Sequence, residues 1–227
     1  TPASSRAYDM EIDTVPTDDD ATKWKILLPA TFVYNRGQVA PETTTENLSK
    51  PSSACPLESM NLTEMDSGDQ ATFDAYIDRL AAAGGTYHDV GMAWGARLIS
   101  PTGLFAEANA DPDGQPVSRH IVFMTDGNMD TAQNYLSHQG LEQSMPRIGS
   151  TGKNDGDARH TNRFLQLCQR ARARGITIWV VSFGIGTNES LNTCASSGTA
   201  LLSSNTADLN SNFQSIARQM SKLRLAQ

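Results

Sequence analysis

The sequence predicts an α/β domain built on a doubly wound, mostly parallel sheet flanked by helices, and three observations carry that prediction. Residues 176–183 form a continuous apolar run centred on Ile178, Trp179, Val180 and Val181, the pattern of a parallel strand buried on both faces. A second run at 120–125 leads directly into Asp126 and Gly127, a turn at the carboxyl end of a strand. Helical periods alternate with these runs, and strand, helix, strand, helix in that order implies right-handed crossovers. Ligands of such sheets bind outside the carboxyl ends of the strands, where Asp126 and Gly184 fall.

With 227 residues, of which 38% are hydrophobic, the chain can bury one full core, alone or with a small appendage. A formal net charge of -7 with scattered basic residues argues against a nucleic-acid or anionic-membrane binder, since no basic field attracts phosphates. No stretch reaches the roughly eighteen to twenty apolar residues that span a bilayer. The first residues, Thr1, Pro2, Ala3, Ser4 and Ser5, carry no charged-then-apolar signal pattern. The expectation is a processed product or an excised fragment whose targeting segment lies elsewhere.

The elements divide into two regions. Residues 1–56 are polar and largely irregular, with an acidic turn at Asp18, Asp19 and Asp20. Two islands in that region, 8–15 and 24–34, hold enough β-branched and aromatic residues for edge strands or a hairpin. From residue 57 to the end the texture is that of the α/β domain. Phe73, Tyr76, Ile77 and Leu80 fall at helical spacing, as do Val90, Ala93, Trp94 and Arg97, and Gly84 and Gly85 separate the two helices. A turn-rich loop over 100–118 precedes the 120–125 strand, and a long polar segment over 128–160 follows it. A third helix places Phe164, Leu167, Cys168 and Ala171 on one face and stops at Gly175. After the 176–183 strand come a short strand near 200–203 and a last helix with Leu209, Phe213, Ile216, Ala217, Met220 and Leu223.

Several chemistries fail on their own residue patterns. Asp126, Asn128 and Asp130 open like a calcium-binding EF-hand loop, but Thr131 and Ser137 stand where a glycine and a glutamate are needed. Asp111 and Asp113 read as a turn. Gly184 and Gly186 follow a buried strand as in a dinucleotide loop, yet Glu189 occupies the third glycine's place and would repel a pyrophosphate. No Gly-x-Ser-x-Gly elbow exists, and Ser182 lies inside a strand. His88, His120, His138 and His160 show no zinc spacing. Cys55, Cys168 and Cys194 fit neither a zinc nor a Cys-x-x-Cys pattern, so buried thiols are the plain reading. An α/β layer lets Cys168 face Cys194, and geometry decides whether they pair.

One combination of residues is more specific. Gly84, Gly85, Thr86, Tyr87, His88, Asp89, Val90, Gly91 and Met92, then Trp94, Gly95, Ala96 and Arg97, and the run from Arg119 through Thr125, Asp126 and Gly127 resemble the von Willebrand factor A domain. More narrowly they resemble TadG-like proteins of bacterial tight-adherence, or Flp-type, pilus assembly. Leu223, Arg224 and Leu225, Cys55 with Pro56, and Cys194 with Ala195 and Ser196 are similar to that family too. The resemblance covers residues 57–227.

It implies a metal-ion-dependent adhesion site, with Thr86 as the hydroxyl ligand of the second loop and Asp126 as the carboxylate of the third, holding Mg²⁺ or Mn²⁺. His88 and Asp89 would stand behind them. The family's first-loop Asp-x-Ser-x-Ser occurs nowhere in the sequence. Either the site is degenerate or, as expected here, the central first strand is supplied elsewhere, upstream, with residues 1–56 as part of an insertion. Two ligands alone would hold Mg²⁺ weakly, and a partner's carboxylate would complete the coordination.

Two functions follow as expectations. The first is a non-enzymatic protein-binding or adhesion module in the periplasm or cell envelope, tethered to the inner membrane through a segment outside this chain. It would act on protein partners such as pilus assembly components and on no nucleic acid. The 128–160 segment, with Tyr135, Met145, Arg147 and Ile148, would provide its binding surface. The alternative is a metal-dependent α/β hydrolase or nucleotide-binding enzyme domain, with Asp130 or Glu189 assisting Asp126.

Overall fold

The structure, a computed structural model, describes residues 10–17, 57–81, 84–111, 114–115, 117–137, 139–142, 147–186 and 188–224. The expected strand at 24–34, the acidic turn at 18–20, Cys55, Asp113, His138, Met145 and Leu225 lie outside the described residues.

Strands β1 (His120–Thr125), β4 (Thr177–Phe183) and β5 (Ala200–Ser203) form a three-stranded parallel sheet in the order β1-β4-β5. The two apolar runs that announced the sheet are thus direct neighbours, with Val122 opposite Trp179 and Met124 opposite Val181. Four successive β4 side chains, Ile178, Trp179, Val180 and Val181, are at most 2% exposed. Each such side chain contributes about 1.5–3 kcal/mol on burial, which makes β4 the axis of the domain.

Helices cover both faces of β4, as a buried parallel strand requires. On one side α2 (His88–Ile99) and α3 (Lys153–Ala173) bring Met92, Ala93, Ala96, Phe164, Leu167 and Ala171 against Ile178 and Val180. On the other, α5 (Thr206–Arg224) packs Ile216, Leu209 and Met220 on Trp179, Val181 and Leu201. The short α4 (Glu189–Cys194) joins β4 to β5 and is capped by Asn188, whose side chain accepts from the Leu191 amide. Its Cys194 forms a disulfide with Cys168 of α3, so geometry resolves in favour of pairing what spacing left open. The α/β arrangement with a parallel sheet agrees with the expectation.

Several local expectations are corrected. Residues 10–17 form no strand; Met10 and Ile12 instead plug the core below α2 and α3. Their backbone is held by arginines: Arg170 donates to the Met10 carbonyl at 3.0 Å and Arg97 to that of Glu11 at 3.2 Å. Arg174 pairs with Asp13 at 2.5 Å. A short irregular segment whose carbonyls meet arginines needs no ladder. The first expected amphipathic helix exists as α1 (Gln70–Ile77) but buries nothing among the described residues, with Phe73 and Ile77 both 43% exposed.

The segment 128–160 is not one polar loop. It contains a two-residue-per-strand hairpin, β2 (Leu136–Ser137) with β3 (Gly140–Leu141), and α3 already begins at Lys153. The early start escaped the apolar period because the first turns of α3 bury Gly156 and His160 rather than large apolar residues.

Candidate functional site

The carboxyl end of β1 gathers the residues singled out by sequence. Thr86 lies in the turn before α2 and forms an isolated antiparallel bridge with Asp130 in the loop after β1: Thr86 N donates to Asp130 O at 2.8 Å and Asp130 N to Thr86 O at 3.0 Å. This bridge pins the Thr86 turn beside the Asp126 turn, although forty positions of sequence separate Thr86 and Asp126. Gly127 sits so close that a Cβ there would lie 3.3 Å from Thr86 Oγ1. Gly85 is required for a similar reason, since a Cβ would collide with the Asp130 carbonyl and lie 2.7 Å from the Tyr135 ring. Asp126 itself is exposed at the rim.

A buried network braces this pair of loops from below. His88 Nε2 lies 3.1 Å from Thr125 Oγ1, joining the start of α2 to the residue before Asp126. The Thr125 hydroxyl donates to Gly127 O at 3.1 Å, so His88 donates from Nε2 and its Nδ1 faces inward without a partner. Burial holds the His88 imidazole below the usual histidine range, which favours the neutral ring. Its ring meets Phe123 edge-on, with centroids 5.6 Å apart.

Tyr87 holds the N-cap position of α2, and Asp89 lies in its first turn. At 1% exposure it points into the domain and accepts from His160 Nδ1 at 2.9 Å and Arg163 Nε at 3.1 Å, both on α3. Burial alone would raise the Asp89 carboxyl, but the hydrogen bond and charge of His160, followed by Arg163, outweigh it and hold the group below the usual carboxylate range. Tyr87 stacks edge-on against His160 at 4.9 Å. His160 and Arg163 were invisible to motif reading because their partner lies more than seventy residues upstream.

The rim adds a second polar cluster that sequence did not indicate. Asp157 Oδ1 accepts from both the amide and the hydroxyl of Thr131 at 2.7 Å, and Lys153 Nζ bridges Asp157 Oδ2, at 3.1 Å, to Asp130 Oδ1. Gly156 permits this approach, because a Cβ there would meet Thr131 Oγ1 at 2.8 Å. Asp130 is therefore committed to a cation of the chain itself. Glu189 lies at the start of α4, exposed to solvent. Asn188 Nδ2 donates to Asn128 Oδ1 at 2.7 Å and ties the β4–α4 loop to the same rim.

No family model, no characterised protein and no solved structure matches this chain.

The site must then be judged on its own donors. Thr86 contributes a hydroxyl and Asp126 a carboxylate, both hard oxygen donors of the type Mg²⁺ accepts. Among the described residues no group of three or more His, Cys, Asp or Glu is disposed to hold a metal ion. The pair suits a cation in donor chemistry and falls short in donor number. Of the expected surface residues, Tyr135 is 36% exposed above Gly85, whereas Ile148 is only 7% exposed and packs inward. Among the described residues no helix is long and apolar enough to cross a membrane.

Proposed function

We propose that this chain is a non-enzymatic protein-binding module of the von Willebrand factor A type, acting in the bacterial cell envelope in Flp-type pilus assembly. The observation that carries the reading is the seating of the Thr86 turn against the Asp126–Gly127 turn at the carboxyl end of a parallel strand, fixed by the Thr86–Asp130 bridge. Two oxygen donors held at one rim with open surroundings suit a divalent cation that a partner's Asp or Glu completes. The Cys168–Cys194 disulfide supports an oxidising compartment such as the periplasm.

The catalytic alternative gains nothing specific. Its helper carboxylates are Asp130, which Lys153 engages, and Glu189, which is exposed to solvent.

The test is titration of the chain with Mn²⁺, followed by paramagnetic broadening of amide signals. Expected is weak broadening centred on Thr86, Asp126 and Gly127 that Asp126→Ala abolishes. Broadening elsewhere, or none, removes the metal from the reading. Turnover of a generic phosphoester by the purified chain, lost in Asp126→Ala, would replace the binding role with the enzymatic one.

A further inference from the structure

The acid in this chain is unevenly placed. Residues 57–81 hold six carboxylates, Glu58, Glu64, Asp66, Asp69, Asp74 and Asp78, against one base, Arg79, a net charge of -5 out of the chain's -7. Two of the six are engaged by backbone: the Gly68 amide donates to Asp66 Oδ1 at 2.6 Å and the Asp66 amide to Asp69 Oδ2 at 3.0 Å. Glu58, Glu64, Asp74 and Asp78 are exposed and meet no cation among the described residues.

Two of those four stand where they cost the helix stability. Asp74 and Asp78 lie one turn apart on α1, a repelling like-charge pair at i,i+4. Asp78 is also the C-cap, at the negative end of the helix dipole, and the last turn holds no basic residue. Arg79, just past the cap, pairs with neither carboxylate. Cations brought from outside the described residues relieve both penalties.

The same segment turns its apolar side chains to solvent. Phe73, Ile77 and Leu80 fall at i, i+4 and i+7, and all three are exposed. The Leu80 amide donates to the Ile77 carbonyl at 3.0 Å, which carries the turn on to Leu80. This row is about 10 Å long at the helical rise per residue, and it matches an i, i+3 or i+4, i+7 set of anchors on a second helix. It is also held in place. Tyr76 Oη accepts from the Met60 amide at 3.2 Å and donates to the Glu58 carbonyl at 2.9 Å, folding residues 58–60 back on α1.

We propose that α1 is the docking surface for a basic amphipathic helix of a partner protein, its apolar anchors lying along Phe73, Ile77 and Leu80 and its Lys or Arg side chains meeting Asp74 and Asp78. Exposed apolar residues rimmed by charge mark interaction surfaces, and the sign of the rim selects the partner. An anionic lipid surface is repelled by the same carboxylates. The surface uses neither Thr86 nor Asp126 and needs no metal, so it and the cation site fail separately.

The experiment titrates the full chain, isotopically labelled, with a designed amphipathic helix of leucine and lysine, with a scrambled peptide of the same composition, and with a counterpart carrying glutamate for lysine. Expected are saturable shifts centred on residues 57–81 with the amphipathic lysine peptide alone. Asp74→Lys together with Asp78→Lys should weaken binding about tenfold, and Phe73→Ser should weaken it about tenfold as well. The lysine substitutions favour the C-terminal end of α1, so binding lost there is not a helix lost. Equal affinity for the double variant and the wild type overturns the proposal, as does equal binding of the scrambled peptide or a shift map lying elsewhere. Shifts of residues 57–81 by neutral phosphatidylcholine vesicles and not by the peptide would assign α1 to a lipid surface and overturn the protein partner. Concentration-dependent shifts of the same residues in the chain alone, removed by Phe73→Ser, would make a second copy the occupant and overturn it too.

Discussion

β1 and β4 are hydrogen-bonded neighbours in one parallel sheet, with similar apolar sequences and opposite fates. β4 has a strand on each side and helices on each face, and its central four residues are fully buried. β1 buries only the face bearing Ile121 and Phe123, against α2 and α3. On its other face Val122 and Met124 are 37% and 47% exposed, because α5 covers β4 and β5 and stops short of β1. Among the described residues β1 also has no partner on its outer edge. An apolar strand left half-covered with a free edge is a pairing hazard in isolation and a template for a further strand. The difference teaches that apolar sequence marks a strand as fit for burial, while neighbours decide whether it is buried.

The contrast can be broken by substitution. Ile178→Ala should lower unfolding stability by about 4 kcal/mol, since the site is closed on all sides and collapses poorly. Denaturant unfolding of the variant measures it, and a loss equal to that of a β1 surface substitution would erase the distinction between the strands. Next in size is the disulfide that fastens α3 to α4 next to β4. Replacing Cys168 and Cys194 by alanine together should cost about 3 kcal/mol for a closed loop of this length and lower the thermal midpoint, with β4 signals affected before those of β1.

Acid should act through the brace beneath the β1 rim. The folded pKa of Asp89 is depressed below 3.8, so its contribution is fully present above the unfolded value and is lost as pH falls through the folded one. A stability profile measured downward from pH 5 should therefore steepen below about pH 4, in keeping with the ordinary Asp range. Asp89→Asn should flatten that limb at the expense of stability at neutral pH, where His160 and Arg163 lose their charged partner. A limb unchanged in the variant would move the acid sensitivity to other carboxylates. The smallest effect belongs to Met124→Ser, expected to change stability by no more than about 0.5 kcal/mol as a surface substitution while reducing any tendency to associate. A large loss would show that this face of β1 is covered in solution.

Much of the fold was legible because β4 advertises itself: a run such as Ile178 to Val181 has no stable home except between two helical layers. The adjoining helices followed from periodicity. The extent of α3 did not, since its first two turns bury a glycine and a histidine in place of an apolar stripe. Nor did the role of residues 10–13, where arginines from α2 and α3 replace a strand ladder. At the candidate site, Thr86 and Asp126 were legible only as residues of turns next to a helix and a strand. The partners of Asp89 and the bridging of Asp130 by Lys153 were not, because no local rule connects side chains so far apart in sequence.

By itself the sequence determined the parallel α/β class, the strands at 120–125 and 176–183 with their adjoining helices, and the two short turns that carry Thr86 and Asp126, since these depend on local preference and on hydrophobic period. Only the tertiary structure decided that those turns meet through a backbone bridge, that Cys168 and Cys194 pair, and that α1 and one face of β1 go uncovered among the described residues. Each of these rests on distance between residues remote in the chain, and distance is set by packing rather than by any residue's own chemistry.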